Sequence, residues 1–441
     1  MRIKVHTMNV QQGMYVAQLD RSWLETPFLF QGFEIHEERE IGLLRKFCKH
    51  VYVDVERSTL EKNTILAAHQ AAKSAGDPFN GTQPPPVIAS EPITIPQKLI
   101  RAIGHLDPTG IVMERLNRPR QYKNLVTTAK EAPRAADAYA TATAQLHSVV
   151  DCIKQGIGIT VETIEEAVTP MIDSVLRNQN AMAWLVYLRK QDEYAYNHAV
   201  ATSVWAVIMG RHLGFDRHGL KTMAMGGILL DVGKTKIPDS IIQKATGLTQ
   251  EESAIMEMHV KHGVEIARQI PGINDDVLAM IECHHERHDG SGYPEGLVGA
   301  DIPVYGRIAG VADCYDAMIS DQPHQAARSS YDAIRQLNFM IGTKFQKQLI
   351  EQFVQALGMF PTGSLVELNT GEVAIVIEQN RVRRLRPKVM LVLDRDKNIR
   401  RSSKMLDLQK VPVDEGLPKA RWITHGHEAG AFGIDPNDYF L

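Results

Sequence analysis

Cysteine is scarce in this sequence and follows no pattern. Cys48, Cys152, Cys283 and Cys314 are scattered over 441 positions without a CxxC pair, which argues against a zinc ribbon or a disulfide framework and fits a reducing compartment. Long hydrophobic runs are missing too. The most apolar stretches, residues 204–209 and 223–230, fall well short of the ~20 residues a membrane-spanning helix needs, so no membrane span is expected. The opening MRIKVHTMNV has no apolar segment of the kind a secretory signal carries, and a cytoplasmic protein is the expectation. Charge of one sign is also in short supply. A formal net charge of −3 supplies no broad basic field, so nucleic acid is not an expected partner. The local run Arg381, Arg383, Arg384, Arg386 and Lys388 lies between apolar segments and reads as a solvated strand face. No repeat occurs at the periods that mark solenoids.

What is present is ordinary for a soluble globular chain: 44% hydrophobic and 23% charged residues, over a length suited to about three domains. The first ~60 residues alternate with a period of two, Val51, Val53 and Val55 facing opposite to Tyr52 and Asp54, which predicts a small α/β module. A Pro- and Gly-rich stretch at 76–92 reads as a linker, so an accessory module is placed at 1–130. From 131 to 358 the pattern is helical. Helices are predicted at 134–153, after Thr160 as an N-cap, and at 194–213, 219–230, 250–269 (with Thr249 and Glu252 as a capping box), 275–285, 304–319 and 343–357, with Gly358 as a stop. Alternation around an Asn-Thr-Gly turn in 364–380, followed by VMLVLD, predicts a small β module at 359–410, and 411–441 is left as a tail. The fold class is mainly α.

The helical block holds His198, Asp231, His259, His284, His285 and Asp313, almost all inside or at the ends of predicted helices. Imidazole mixed with carboxylate suits manganese, iron, nickel or zinc, and six candidate ligands are too many for one tetrahedral ion, which points to a pair of metals. Singly, each residue is more often a surface histidine, a cap or a solvated charge. His284 and His285, taken as adjacent helical residues ~100° apart, could reach two different ions. They run into HHERHDGSGYP, a loop whose Gly290 and Gly292 let backbone approach a ligand and whose end is fixed by Tyr293 and Pro294.

HHERHDGSGYP resembles the signature HHExxDGxGYP of HD-GYP domains, a branch of the HD superfamily of metal-dependent phosphohydrolases. His198 in YAYNHAVATSVWA, Asp231 and Lys234 in LLDVGKTKIP, His259 in HVKHG, and Asp313 in GVADCYDAM match further motifs of that family in order. The resemblance covers roughly residues 180–355. The first ~130 residues are similar to a domain of unknown function that often precedes such domains, and the C-terminal β module to a tail that follows some of them.

The resemblance implies an HD-type all-helical catalytic domain between a small N-terminal α/β module and a small C-terminal β module. It implies hydrolysis of the bacterial second messenger cyclic di-GMP to pGpG or GMP by a hydroxide activated between two divalent ions, iron or manganese before nickel or zinc. Asp231 would bridge the ions, His198, His259, His284, His285 and Asp313 would complete the ligand shells, and Lys234 would bind the scissile phosphate. Gly292, Tyr293, Pro294, Gln322, Gln325 and Arg328 would shape the substrate site. The GYP loop would alternatively offer a surface to diguanylate cyclase domain proteins, and a homodimer is among the assemblies the family allows. Three departures stand out. Leu230 replaces the histidine of the family's HD pair, Tyr194 stands where members with a third metal carry Glu, and Gln322 and Gln325 replace the arginines expected in SDQPHQAAR. These losses motivate the alternative of a weak or inactive member acting as a nucleotide receptor or scaffold, and a third reading in which Gln redirects the substrate.

Overall fold

The structure is a computed structural model that describes residues 2–20, 33–35, 38–55, 58–60, 62, 64–67, 122–188, 194–322, 326–380, 383, 385–411, 420–434 and 439. The chain divides into two compact units, Met1–Thr94 and Ile95–Leu441.

In the first unit, β1 (Arg2–His6), β2 (Tyr15–Leu19), β3 (Phe33–Glu34) and β4 (His50–Asp54) form an antiparallel sheet in the order β1-β4-β2-β3, with α1 (Glu38–Phe47) placed between β3 and β4 in sequence. The period of two in β4 has the predicted consequence: Val51 and Val53 are fully buried while Tyr52 and Asp54 stay part-exposed. Ile41 and Leu44 of α1 join Val5, Met14 and Val16 in the same core. The linker expected at 76–92 lies outside the described residues.

The second unit opens with a long helical pair. α2 (Thr128–Gln155) starts where the Thr127 hydroxyl accepts from the Lys130 amide and stops at Gly156, whose φ of 71° suits the left-handed cap. α3 (Val161–Leu188) buries the expected stripe Ile164, Val168, Ile172 and Val175. It bends at Asn178, whose side chain ties the extended backbone there to the Val126 carbonyl and the Asn180 amide. A bidentate pair between Arg177 and the fully buried Glu131 links the two helices.

Packed on this pair are α4 (Tyr194–Leu213) and α5 (Arg217–Leu229), and further helices follow: α6 (Gln250–Arg268), α7 (Asp275–Cys283), α8 (Val304–Ile319), α9 (Ser330–Phe339) and α10 (Lys347–Leu357). The capping box of α6 forms as expected from Thr249 and Glu252. Small residues set the spacing: a Cβ at Gly227 of α5 would strike the Ser203 backbone of α4, and one at Gly226 would strike Met280 of α7. Some helix boundaries differ from expectation, α2 starting at Thr128 rather than at 134. α10 begins at Lys347, because residues 340–346 form a series of turns closed by Phe345 and Lys344 amides on the Met340 carbonyl. The separate helix α9, capped by Ser329, was not foreseen in the polar segment before it.

The β module is a five-stranded antiparallel sheet ordered β8-β7-β6-β5-β9, from β5 (Leu365–Leu368), β6 (Val373–Glu378), β7 (Lys388–Leu393), β8 (Ile399–Asp407) and β9 (Ile423–His427). Gly371, at φ 80°, makes the predicted turn between β5 and β6. The segment expected as a tail from 411 onward instead contributes β9, which pairs with β5; its polar ITHGH pattern carries no apolar alternation from which a strand could be read. Of the basic run, Arg386 reaches the carbonyls of Val411 and Arg421 and Lys388 pairs with Glu378, so both are engaged within the module.

Candidate metal centre

Close helix packing brings the chemistry together. α5 ends at Leu229, Leu230 caps it in a helical conformation, and Asp231 opens a single 3₁₀ turn, Val232–Lys236. Within that turn Gly233 passes so near α6 that any Cβ would collide with the His259 carbonyl and the Gly263 amide, which is why glycine stands there and how Asp231 comes to face His259. The Asp231 Oδ1 to His259 Nε2 distance is 3.4 Å, and Lys234 Nζ lies 2.6 Å from Asp231 Oδ2.

α7 stops at Cys283. His284 and His285 therefore leave the helix, contrary to the expectation of a helix running through 285, and they do not diverge by ~100° toward separate ions. Their ring centroids are 4.0 Å apart, and one ligand atom from each of His259, His284 and His285 lies within 4.8 Å of the others. The tautomers follow from the partners. His259 Nδ1 lies 2.6 Å from the Met256 carbonyl and His284 Nδ1 2.8 Å from the Ile281 carbonyl. A carbonyl only accepts, so Nδ1 carries the hydrogen on both rings and the Nε2 atoms, 3.4 Å apart, present lone pairs to the same space.

The loop that follows is folded back onto these histidines. A Cβ at Gly292 would meet the backbone of residues 285–287, the Tyr293 amide donates to the His285 carbonyl, and the Tyr293 ring stacks on His285 at 4.6 Å and 28°. Pro294 follows through a cis peptide bond. Both carboxylate oxygens of buried Glu286 accept backbone amides, from Glu295 at 2.8 Å and from Leu297 at 2.9 Å, and so pin the loop.

On the other side of Asp231 the donors are mostly carboxylates. His198 of α4 is buried, with Nε2 3.0 Å from Asp313 Oδ1 and 3.8 Å from Asp231 Oδ2, and Nδ1 2.8 Å from Asp316 Oδ2. Asp316, fully buried one turn after Asp313 on α8, also accepts from Trp205 Nε1 at 2.9 Å and from the Ser320 hydroxyl at 3.3 Å.

Electrostatics separate the two sides. Burial pushes the His284 pKa down to about 4, lowers His259, and with the neighbouring rings holds His285 well below its usual value, so all three stay neutral and able to ligate. Burial would also lower His198, but its hydrogen bonds to Asp313 and Asp316 outweigh that and raise it to about 9. Burial would raise Asp231, yet Lys234, His259 and His198 hold it well below the usual carboxylate range. Neutral imidazoles with fixed tautomers converging beside an ionised carboxylate are a donor set that fits a divalent transition metal.

Of the residues expected at the site, His198, Asp231, Lys234, His259, His284, His285, Tyr293 and Asp313 are brought together, and Gly292 and Pro294 frame them. Gln322 turns back to donate to the Ala317 carbonyl at 2.8 Å, at the end of α8. Arg328 is not grouped with these residues: it lines a small cavity with Tyr187, Ser330, Ser364 and His427, between the helices and the β module. This follows from the chain's path, since the Arg328 amide bonds the Met318 carbonyl and α9 starts two residues later. Gln325 and the side chain of Tyr194 lie outside what is described. Asp316 and Glu286 were not singled out from sequence, although Asp316 stands three positions after Asp313 on one helix face and Glu286 lies inside the quoted signature.

Three families match along the chain: a domain of unknown function, DUF3391, over residues 2–164, the HD domain over 181–349, and a KOW domain associated with HD domains over 365–412. The chain carries an HD domain of the HD-GYP type. The match to the domain of unknown function runs on through α2 into α3, past the first compact unit. Among curated proteins, the chain is 28% identical over 407 residues to a cyclic di-GMP phosphodiesterase of Pseudomonas aeruginosa, covering 92% of this chain and 88% of that one. It is 35% identical over 167 residues to the cyclic di-GMP phosphodiesterase response regulator RpfG of Xanthomonas campestris, covering 36% of this chain and 44% of that protein. A 3'3'-cGAMP-specific phosphodiesterase of Vibrio cholerae is 38% identical over 131 residues, 29% of this chain and 24% of its own length. Among solved structures, an HDG"Y"P protein from Bdellovibrio bacteriovorus is similar at 15% identity and a TM-score of 0.42, covering 80% of this chain and 98% of that one. No described helix is long and apolar enough to cross a membrane.

Proposed function

We propose that this HD-GYP chain is a metal-dependent phosphodiesterase that hydrolyses cyclic di-GMP to pGpG or GMP. The observation that carries this reading is the convergence of His259, His284 and His285, each held neutral, on one another, with the ionised carboxylate of Asp231 3.4 Å from His259. The resemblance of almost the whole chain to a cyclic di-GMP phosphodiesterase supports the same choice of substrate. Asp231, between the two groups of donors, is the bridging candidate. His259, His284 and His285 would hold one ion, and His198 and Asp313 the other, with iron or manganese the expected metals. When bound, such ions supply a water nucleophile of lowered pKa and neutralise charge on the phosphate oxygens.

The remaining work falls to the chain itself. Lys234, whose side chain is about one-third exposed and beside Asp231, carries the positive charge that would orient a scissile phosphate. Tyr293 covers His285, and Glu286 fixes the loop that carries Tyr293, so this wall of the site keeps one shape and limits water. The deciding experiment couples elemental analysis of anaerobically purified protein to a product assay with cyclic di-GMP. Bound transition metal with turnover, lost in Asp231→Ala, supports the reading. Metal-loaded protein without turnover of any cyclic dinucleotide would sink it.

A second reading keeps the chemistry and changes the nucleotide. Gln322 stands where the family carries arginine, and its amide is spent on a helix end rather than on a phosphate clamp. With a cGAMP-specific relative among the similar proteins, a panel of cyclic dinucleotides and linear pGpG separates the readings. Preference for a hybrid nucleotide would favour the second.

A further inference from the structure

The donors on the two sides of Asp231 are unequal in number and in how they are held, and Leu230 lies in the turn between them. On the imidazole side stand His259, His284 and His285, with ligand atoms within 4.8 Å of one another, and Asp231 Oδ1 lies 3.4 Å from His259, making four candidate donors. On the other side stand His198, Asp313 and Asp231 Oδ2, three donors, and the buried residue preceding Asp231 is a hydrocarbon. Lys234 adds to the inequality, because its ammonium contacts Oδ2 and not Oδ1.

Something nevertheless prepares this weaker side. Asp316 belongs to neither ligand group, yet its fully buried carboxylate is aimed at His198 Nδ1 and is fixed from behind by Trp205 and Ser320. A carboxylate at that position selects the His198 tautomer whose Nε2 faces Asp313 and Asp231, and makes that nitrogen a stronger donor. Among the described residues no comparable carboxylate backs His259 or His284, whose Nδ1 atoms meet main-chain carbonyls.

Building on the phosphodiesterase reading, we propose that the centre loads unequally. One ion is held firmly by the three histidines and Asp231, and a second weakly at His198 and Asp313. Asp316 is the positioning residue on which that second ion depends.

The test is a titration of the metal-free full chain with Mn(II) by calorimetry, followed by desalting and elemental analysis. The wild-type chain is expected to show two classes of site at least about tenfold apart in Kd, with only the first equivalent surviving desalting. Asp316→Asn keeps the side-chain volume and should weaken the second class by a further 10- to 100-fold while leaving the first unchanged. Leu230→His should tighten the second class and restore retention even in the Asp316→Asn background. A structural role alone would not produce that rescue. The first-class Kd and the circular dichroism spectrum report whether each variant is folded, and if Asp316→Asn fails to fold, the wild-type and Leu230→His titrations still decide the unequal loading. Two equal sites in the wild type, equal weakening of both by Asp316→Asn, or no gain from Leu230→His would overturn the proposal. If the metal pattern holds but no cyclic dinucleotide is cleaved, the functional reading fails and this one stands.

Discussion

The two sides of Asp231 solve one problem, holding charge and lone pairs out of water, in opposite ways. His259, His284 and His285 are kept neutral by burial, and main-chain carbonyls choose the tautomers of the first two, so the protein needs no added charge there. His198 is surrounded by Asp231, Asp313 and Asp316 and is held protonated in the metal-free chain, with Lys234 as a second internal cation. For a metal to bind, the first side would need to release no proton, whereas on the second His198 would have to lose its proton and Lys234 to yield Asp231 Oδ2. The two sides differ in charge as well as in the number of candidate donors.

Removing the shared element should have the largest effect. Asp231→Ala is expected to cut turnover of cyclic di-GMP by at least about 10³-fold, since several kcal/mol of charge stabilisation rest on it; product chromatography under saturating metal measures this. Single losses on each side come next and probe the comparison directly. His284→Ala should weaken the first Mn(II) equivalent by more than about 100-fold, beyond the usual effect of a residue that only supports a ligand. Asp313→Ala should leave that equivalent intact and abolish the second. If both variants weaken both sites alike, the two-sided picture is broken.

Acid and base should act on opposite sides as well. The folded pKa of His284, about 4, lies below its ordinary 6.5, so the unfolded chain binds more protons in that window and stability is lost as pH falls through it, by about 3 kcal/mol. The folded value for His198, about 9, lies above 6.5, so its contribution is complete below 6.5 and is lost as pH rises toward 9. Denaturant melts of metal-free protein should therefore peak in stability near pH 6.5, and saturating Mn(II) should flatten the alkaline limb. A smaller effect is expected at the turn that joins the sides. Gly233→Ala must push the turn off α6, costing about 1–3 kcal/mol and lowering Tm by roughly 2–4 °C per kcal/mol.

Much of the centre was legible because its residues lie in order along amphipathic helices whose ends the sequence marks. The α4 and α8 boundaries, the α6 capping box and the ligand motifs are of this kind. What could not be read depends on tertiary contact. Nothing local says that α7 ends at Cys283 and turns both histidines to one place, since that follows from the loop folding back around Gly292 and Glu286. Nothing local sets Asp316 apart from other helical acids, since the Trp205 and His198 that surround it are tertiary neighbours. β9 escaped notice because an edge strand of polar residues is specified by the strand it joins.

Leu230 is an ordinary core residue by burial, and the histidine it replaces in the HD pair would have been a further candidate donor. The most direct test of the account follows turnover of cyclic di-GMP as metal-free protein receives Mn(II) in steps. The account predicts little product through the first equivalent and a steep rise through the second, weaker one. Full turnover at one equivalent, or none at saturation, would contradict it.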